Sequence, residues 1–572
     1  FFLIAPILLY RLSWAHALSG QWILLFALYV GLTKKISKSN AVWIFIIILS
    51  SLINYNFTLV TLIAYSILRL SDFTLSTDGF FKISKDFIIL STLLLSTFYV
   101  VGYFEIRMVD ALGVGFGNYK LNLLSMFDPI HTERGIYWSH FLPDIKLSKG
   151  EEMEGFNYLG LGQILMVLFA FIVFFKNKNK INLFSIENSK RIKLFIIISL
   201  IITVWSLSNK IAFGSYVLVD IPLNNYVFAL MSVAKSTGRL FWIVNYFLVI
   251  LSIIIIHKCF KEKYSMFIIA FFLIIQVADT STGIKQSLNL ITHVGKDFRL
   301  KDKLWDDLFK KYKIIKTTFP ISYSGLLPRL SYLMEKHKTE KTNIVMMGRG
   351  DRKATAEARY KLYSDFRQKN LSTDTVYIID NNLGHLRHLK YLFTNENVGF
   401  FFRDNIWSLV KDEKNQMNNK DRQMLEDLKL KTLIIDDEQD LYFKEKDNYY
   451  GFGWSHNFLN LGIWSEGSLS TLFFKTEKKY GNLKLEILCD PYTTKKNEYL
   501  EFDVYINDKF NKNIKLTDNS KIEILINAQD IENKEVKVDF SFKNPISPYE
   551  VLESPDSRKL GILLKKIKIS LI

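Results

Sequence analysis

Cysteine is nearly absent from this chain, with Cys259 and Cys489 the two examples in 572 residues. One ends an apolar run and the other lies far downstream, so a disulfide framework is excluded and the redox compartment is left unread. Acidic residues are also in deficit, 56 against 73 Lys and Arg, for a formal net charge of +17. No aromatic-interleaved basic groove accompanies that charge, which argues against nucleic acid as a partner. Catalytic signatures are missing too. Gly348-Arg349-Gly350-Asp351 has neither a full dinucleotide fingerprint nor a phosphate-loop Lys-Ser/Thr pair, and reads as a strand-to-helix turn with Asp351 as N-cap. His385 and His388 lack a third clustered ligand for zinc, and no nucleophile elbow occurs. The chain opens on Phe1-Phe2 without a basic leader, and is expected to be a fragment whose upstream helices are missing.

Long apolar runs are absent after residue 279 and crowded before it. Trp43–Leu52, Ile88–Phe104, Leu161–Phe175, Leu194–Leu207, Leu240–Ile256 and Met266–Val277 are too numerous for one soluble core and read as bilayer-spanning helices. Three short loops concentrate lysine: Lys34 to Lys38, Lys176 to Lys193, and Lys258 to Lys263. The positive-inside rule places all three in the cytoplasm. Parity then requires residues 41–70 to form two short helices broken near Asn54-Tyr55-Asn56, makes the 105–160 loop external, and delivers everything after Asp279 to the extracytoplasmic side. Asn54, Asn56, Arg11 and His16 are polar groups at or near membrane depth, where polarity is costly, and are functional candidates on that ground.

The tail alternates. Tyr312–Thr318, Asn343–Met347, Thr375–Ile379, Val398–Phe402 and Thr432–Ile435 read as strands, and Leu326–Lys338, Arg352–Gln368 and Leu383–Phe393 have helical spacing. From Tyr449 onward only strand patterns remain, at Ser470–Phe474, Leu483–Leu488, Glu501–Ile506, Lys521–Ile526 and Val536–Phe542, which suggests an antiparallel sandwich. The expected organisation is a polytopic α-helical membrane domain over 1–279, an extracytoplasmic α/β domain over 280–445 and a β-sandwich over 446–572. Trp454 and Trp464 are expected to pack in that sandwich or to offer a sugar-stacking surface.

Several blocks, in order along the chain, resemble a family of bacterial multi-pass proteins of unknown function that is similar to the integral-membrane glycosyltransferases of the GT-C superfamily. They are Ala5–Arg11 with His16–Trp22, Asn122–Pro129, Glu154–Gly162 and Ser236–Trp242, followed in the tail by Gly453-Trp454-Ser455, Trp464–Gly467 and Asp556–Gly561. The resemblance implies a GT-C-like fold in the bacterial inner (cytoplasmic) membrane. It also implies a catalytic Asp in a first external loop upstream of Phe1. Such an enzyme transfers a sugar from a polyprenyl-phosphate carrier to a glycan acceptor: a carboxylate deprotonates the acceptor hydroxyl, and cations or a divalent metal ion offset charge on the departing phosphate.

Within this chain Asp128 and Glu154 are the candidate carboxylates, in a loop that also carries His131, Glu133, Arg134, Glu151 and Glu152. Arg239, Lys235, Arg11, His16 and His131 are the candidate substrate-binding residues. Arg239 is favoured as the phosphate contact because its planar fork suits phosphate, although an arginine flanking a span can simply snorkel to the interface. Asp128, which precedes Pro129, can equally begin a turn. The leading expectation is a glycosyltransferase for cell-envelope glycan assembly or modification. The alternative is a non-catalytic envelope scaffold or glycan-binding protein anchored in the bilayer. A transporter is disfavoured, since no repeated pair of interrupted helices is visible.

Overall fold

The structure is a computed structural model that describes all residues except 13–14, 72–76, 106–114, 132–134, 178–188, 294–299, 319–325, 345–350, 380–382, 429–431, 434–437, 441–448, 456–461, 477–480, 532–533, 552–553 and 555. It divides into two compact units, Phe1–Asp297 and Phe298–Ile572.

The first unit is helical. Its helices are α1 (Pro6–Leu12), α2 (Trp22–Leu32), α3 (Asn40–Ile53), α4 (Tyr55–Ser71), α5 (Thr77–Val101), α6 (Lys149–Glu154), α7 (Leu161–Lys176), α8 (Ser189–Leu207), α9 (Asn225–Met231), α10 (Trp242–Cys259) and α11 (Glu262–His293). Two small hairpins interrupt them, β1 (Ile130–His131) with β2 (Ile136–Tyr137), and β3 (Lys210–Phe213) with β4 (Tyr216–Asp220). Among the described residues three helical segments are long and apolar enough to cross a membrane: Phe80–Val101, Thr237–Cys259 and Glu262–Thr292. His16–Leu32, Asn40–Ile53 and Leu161–Lys176 are apolar but shorter.

The 41–70 stretch breaks where sequence parity requires. Asn54 leaves the helix at φ −164° and ψ 135°, and its side-chain Oδ1 accepts from the Asn56 backbone N–H at 3.0 Å. Such a local side-chain acceptor satisfies one of the donors that a new helix start leaves orphaned. The two halves fold back on each other: Trp43 and Tyr65 have ring centroids 5.9 Å apart, and Tyr65 OH donates to Asn40 Oδ1 at 3.3 Å. Helix α7 packs on both α10 and α11, with Met166, Ala170, Val249, Ile256 and Phe272 forming a shared apolar cluster.

The second unit begins with a mixed sheet. Strands β5 (Ile314–Thr317), β6 (Lys341–Thr342), β7 (Thr375–Ile379), β8 (Val398–Arg403) and β9 (Ile406–Lys411) lie in the order β6-β5-β7-β9-β8. They are accompanied by α12 (Lys303–Lys311), α13 (Leu326–Lys336), α14 (Arg352–Arg367), α15 (Leu383–Phe393) and α16 (Asn419–Glu426). Asp351 caps α14, its Oδ1 accepting from Ala354 N at 2.9 Å. Of the strand expected over Asn343–Met347, residues 345–347 lie outside the described set; among the described residues pairing with β5 is at Lys341–Thr342, and Asn343 turns its side chain onto the backbone of Thr317. The N-terminal Gly348-Arg349-Gly350 of the supposed turn lies outside it as well.

Two further sheets share one core. One has the order β10 (Thr432–Leu433), β13 (Leu469–Thr476), β18 (Glu535–Phe542), β15 (Leu500–Ile506), β16 (Lys509–Leu516). The other has β11 (Glu438–Asp440), β19 (Leu560–Leu571), β14 (Leu483–Pro491), β17 (Ser520–Ile526), with β12 (Ile463–Glu466) also on β19. Burial alternates strictly along β14 and β15, and the inward Leu472, Phe474, Phe502 and Phe540 meet Leu485, Ile487 and Ile567. That alternation is the sandwich pattern, one face dry and one wet. Trp454 is buried in this core and donates Nε1–H to Thr471 O at 2.8 Å. Trp464 is half-buried, edge-on to Tyr492.

Candidate functional site

Three segments far apart in sequence meet around one carboxylate. Helix α6 opens with a capping box in which Ser148 and Glu151 satisfy each other's backbone donors. Glu151 also pairs with Lys120, and its Oε2 accepts from Asn122 Nδ2 at 3.1 Å. One turn on, Glu154 ends the helix. Its Oε2 accepts from Arg11 Nη2 at 2.8 Å and from Arg239 Nε at 2.7 Å, and its Oε1 lies 2.6 Å from Arg239 Nη2. Arg239 thus presents its fork to both oxygens, the geometry that guanidinium and carboxylate share. Arg11 also donates to Met153 O at 3.0 Å, and its guanidinium sits over the Tyr10 ring at 4.7 Å and the Trp242 ring at 5.4 Å.

The cluster is almost dry. Arg11 is 1% exposed and Glu154 5%, while Arg239 keeps a 14% exposed side chain. Burial alone pushes the Glu154 carboxyl upward, but the two arginines reverse this and hold it below its ordinary value. The cluster lies at the head of the Thr237–Cys259 helix.

The backbone crossing beneath is tight enough to require glycine. A Cβ on Gly238 would meet Gly155 Cα at 2.6 Å, and one on Gly155 would collide with the Lys120 carbonyl. Asn157 bridges the crossing, donating Nδ2–H to Gly155 O at 2.8 Å and Gly238 O at 3.0 Å, and Asn245 in turn donates to Asn157 Oδ1 at 3.0 Å.

The structure therefore brings Arg11, Glu154 and Arg239 together. Lys235 is half-buried against Gly115. His16 is exposed, its carbonyl accepting from Ser19 Oγ at 2.6 Å. Asp128 is buried, and its Oδ1 accepts from Ile145 N at 3.4 Å while its own N–H donates to Leu124 O at 3.2 Å, which suits the start of a turn. The His131 side chain, Glu133 and Arg134 lie outside the described residues. Sequence reasoning missed Asp279, whose buried carboxylate accepts from Tyr158 OH at 2.6 Å and Leu161 N at 2.9 Å and pairs with Ser139. A lone acidic residue near the end of an apolar run was the available signal. Among the described residues no group of three His, Cys, Asp or Glu could hold a metal ion. His388 Nδ1 instead accepts from Phe452 N at 2.9 Å, and burial, with Arg367, Lys537 and His385 nearby, pushes its pKa well down.

A concavity of about 230 Å³ lies within the Phe298–Ile572 unit between α14 and the β12–β13 turn. Tyr360, Arg367, Gln368, Glu466 and Ser468 are among its lining residues. Glu466 is locked by Arg359 at 2.6 Å and Arg558 at 3.3 Å, and Gly467 at φ +79° allows the turn to lie against the Tyr360 ring. Two of the tail blocks, Trp464–Gly467 and Asp556–Gly561, converge here through Gly467 N–H donating to Lys559 O at 2.8 Å.

The first unit is thus a helical domain, with apolar helices compatible with a membrane protein, built around a buried arginine–carboxylate cluster. Residues 1–281 match the model of a family described as a domain of unknown function, DUF6311. That description carries no activity. No curated protein matches the chain. Solved structures it is similar to include a carbohydrate-binding module CBM36 in complex with calcium and xylotriose, at 7% identity over 23% of this chain and 99% of that one with a TM-score of 0.16. Another is the CBM36-1 domain of a multidomain xylanase from the hindgut metagenome of Trinervitermes trinervoides, at 11% identity over 24% and 98% with a TM-score of 0.17. A third is a Paenibacillus sp. cycloisomaltooligosaccharide glucanotransferase complexed with cycloisomaltoheptaose, at 8% identity over 26% and 22% with a TM-score of 0.15.

Proposed function

We propose that this protein is a membrane glycosyltransferase that takes a sugar from a polyprenyl-phosphate-linked donor, at the extracytoplasmic face of the bacterial inner membrane, for assembly or modification of envelope glycans. The observation that supports this reading is the Arg11–Glu154–Arg239 cluster. A glycosyl phosphate gathers charge on the leaving oxygen as the sugar–oxygen bond breaks, and a preoriented guanidinium in a water-poor site is suited to offset it. Arg239, partly exposed, is the phosphate contact in this reading, with Lys235 four residues before it. Glu154, kept ionised between two arginines, is a positioning residue that aims Arg239. Asp128, buried and apart from this cluster, is the candidate within the chain for taking the proton of the acceptor hydroxyl.

Transfer from a polyprenyl-linked donor by the full chain in vesicles tests these roles. Arg239→Lys should lower transfer about tenfold to a hundredfold, since losing one charge-assisted hydrogen bond costs about 1.5–3 kcal/mol, while membrane insertion stays intact. Asp128→Asn should lower it by about a hundredfold or more. Equal rates in both variants would sink the assignment. Activity of a cytoplasm-dependent reporter fused after Lys301 would overturn the external placement of the second unit.

A second reading, an envelope glycan-binding protein without transfer activity, is favoured by the Tyr360 cavity, which combines an aromatic ring with Arg367, Gln368 and Ser468. Glycan binding by a chain that transfers nothing, lost in Tyr360→Ala, would select it.

A further inference from the structure

The segment between α8 and α10 carries exposed apolar side chains that no element among the described residues of its unit covers. From 211 to 234 Asp220 is the single charged residue, and at the base of the hairpin it is paired with Lys210 at 3.0 Å. Strand β3 is fastened inward: Leu123 N–H donates to Ala212 O at 3.0 Å, and the turn at Gly214 exchanges two hydrogen bonds with the Asn122 side chain, at 2.9 and 3.0 Å. Strand β4 is left outside. Every one of its residues is exposed, including Tyr216 at 74% and Leu218 at 59%, and among the described residues it has no second neighbouring strand. Helix α9 follows with Tyr226 at 79% and Leu230 at 63% exposed, one turn apart and so on one face.

A strand that shows apolar side chains on both faces, with its one charge confined to its last residue, is an aggregation hazard in water. Its place in the chain names what covers it. The hairpin starts at Lys210, directly after the apolar helix α8 ends at Leu207, and the outward side of α8 is itself apolar at Leu200 and Val204. After α9 the chain returns at once to the Thr237–Cys259 span. The whole insert is thus bracketed by apolar helix ends, where tyrosine-bearing surfaces meet lipid headgroups.

We propose that β4 and α9 form an interfacial flap that lies in the headgroup region of the bilayer, with Tyr216, Leu218, Tyr226 and Leu230 in contact with lipid. At that depth water still reaches the unpaired edge of β4, so its backbone donors are not stranded as they would be in the hydrocarbon core. Through Asn122, which holds the Gly214 turn and also donates to Glu151, the flap is tied to the segment that ends at Glu154. The inference rests on the membrane reading of the helices and not on the transfer chemistry.

The test uses the full chain with Cys259→Ser, reconstituted in vesicles of phosphatidylethanolamine and phosphatidylglycerol, with an environment-sensitive fluorophore at Leu218→Cys. Tyr226→Cys serves as a second position should the first fail to fold, and Asp518→Cys, on an exposed turn of the second unit, as a control. A nitroxide high on the lipid acyl chain should quench the Leu218 and Tyr226 labels by about twofold or more, and aqueous iodide should quench them less than the control. Iodide quenching equal to the control would overturn the flap. A shielded label that neither quencher reaches would overturn it too, in favour of a second copy or a partner protein. A chain that fails to float with the vesicles would refute the membrane reading itself, whereas a floating chain with a water-exposed label would refute the flap alone.

Discussion

Replacing Glu154 by alanine should destabilise the first unit by about 3–5 kcal/mol, the usual consequence of removing one partner from a buried ion pair and leaving the other charge uncompensated. Arg11 makes the effect large. It is enclosed by Tyr10 and Trp242 and has no room to carry its guanidinium to water. Glu154→Gln keeps an acceptor oxygen and should cost less. Thermal unfolding in detergent would show the alanine variant melting roughly 10 °C below the parent; coincident curves would mean that the cluster contributes nothing to the fold. The same pair gives an acid signature. The folded-state pKa of Glu154 lies below its ordinary value of 4.5, so its contribution is fully present above that value and is lost as pH falls through and below it. Glu154→Gln should therefore flatten the acid limb of the stability curve.

Gly155→Ala is the second large effect. The new Cβ would collide with the Lys120 carbonyl and sit 2.7 Å from the Glu151 carbonyl, both of them backbone atoms that no rotamer change can remove. Overpacking of this kind costs about 1–3 kcal/mol and more where the backbone cannot yield. Gly238→Ala strikes the same crossing from the other side. The double variant should then cost less than the sum of the two singles, because both displace one contact. Full additivity in chemical denaturation would show that the two glycines relax independently.

Local patterns were well legible in the sequence, and partner choice was not. The helices Arg352–Arg367 and Leu383–Phe393 and the strand Thr375–Ile379 follow from periodicity, and the break at Asn54 follows from charge parity in the loops. Strand β9 was missed because Ile406–Lys411 is apolar on both faces: it is the interior partner of β7 and β8, and buried runs of this sort do not alternate. Strands β16 and β19 were missed for different reasons. The first is an edge whose asparagines and lysines face water, and the second breaks its alternation at a bulge opposite Leu488 and Cys489. At the site, the sequence supplied Arg11, Glu154 and Arg239 as separate suspects. Nothing in spacing says that residues 143 and 85 positions apart share one carboxylate. Asp279 escaped notice because its role is set wholly by what folds onto it.

The two short strands β10 and β11 give the second unit a property that its sheets alone would not. Thr432–Leu433 pairs in parallel with the outer strand of one sheet, and Glu438–Asp440 pairs with β19 of the other, while Arg359 of α14 reaches across to Glu466 of β12. The sandwich is therefore stitched to the α/β lobe by its own borders. Cut loose at its first long strand, it would surrender selvedge on both sheets and a counter-ion from its interior. The sandwich and the α/β lobe should accordingly unfold together.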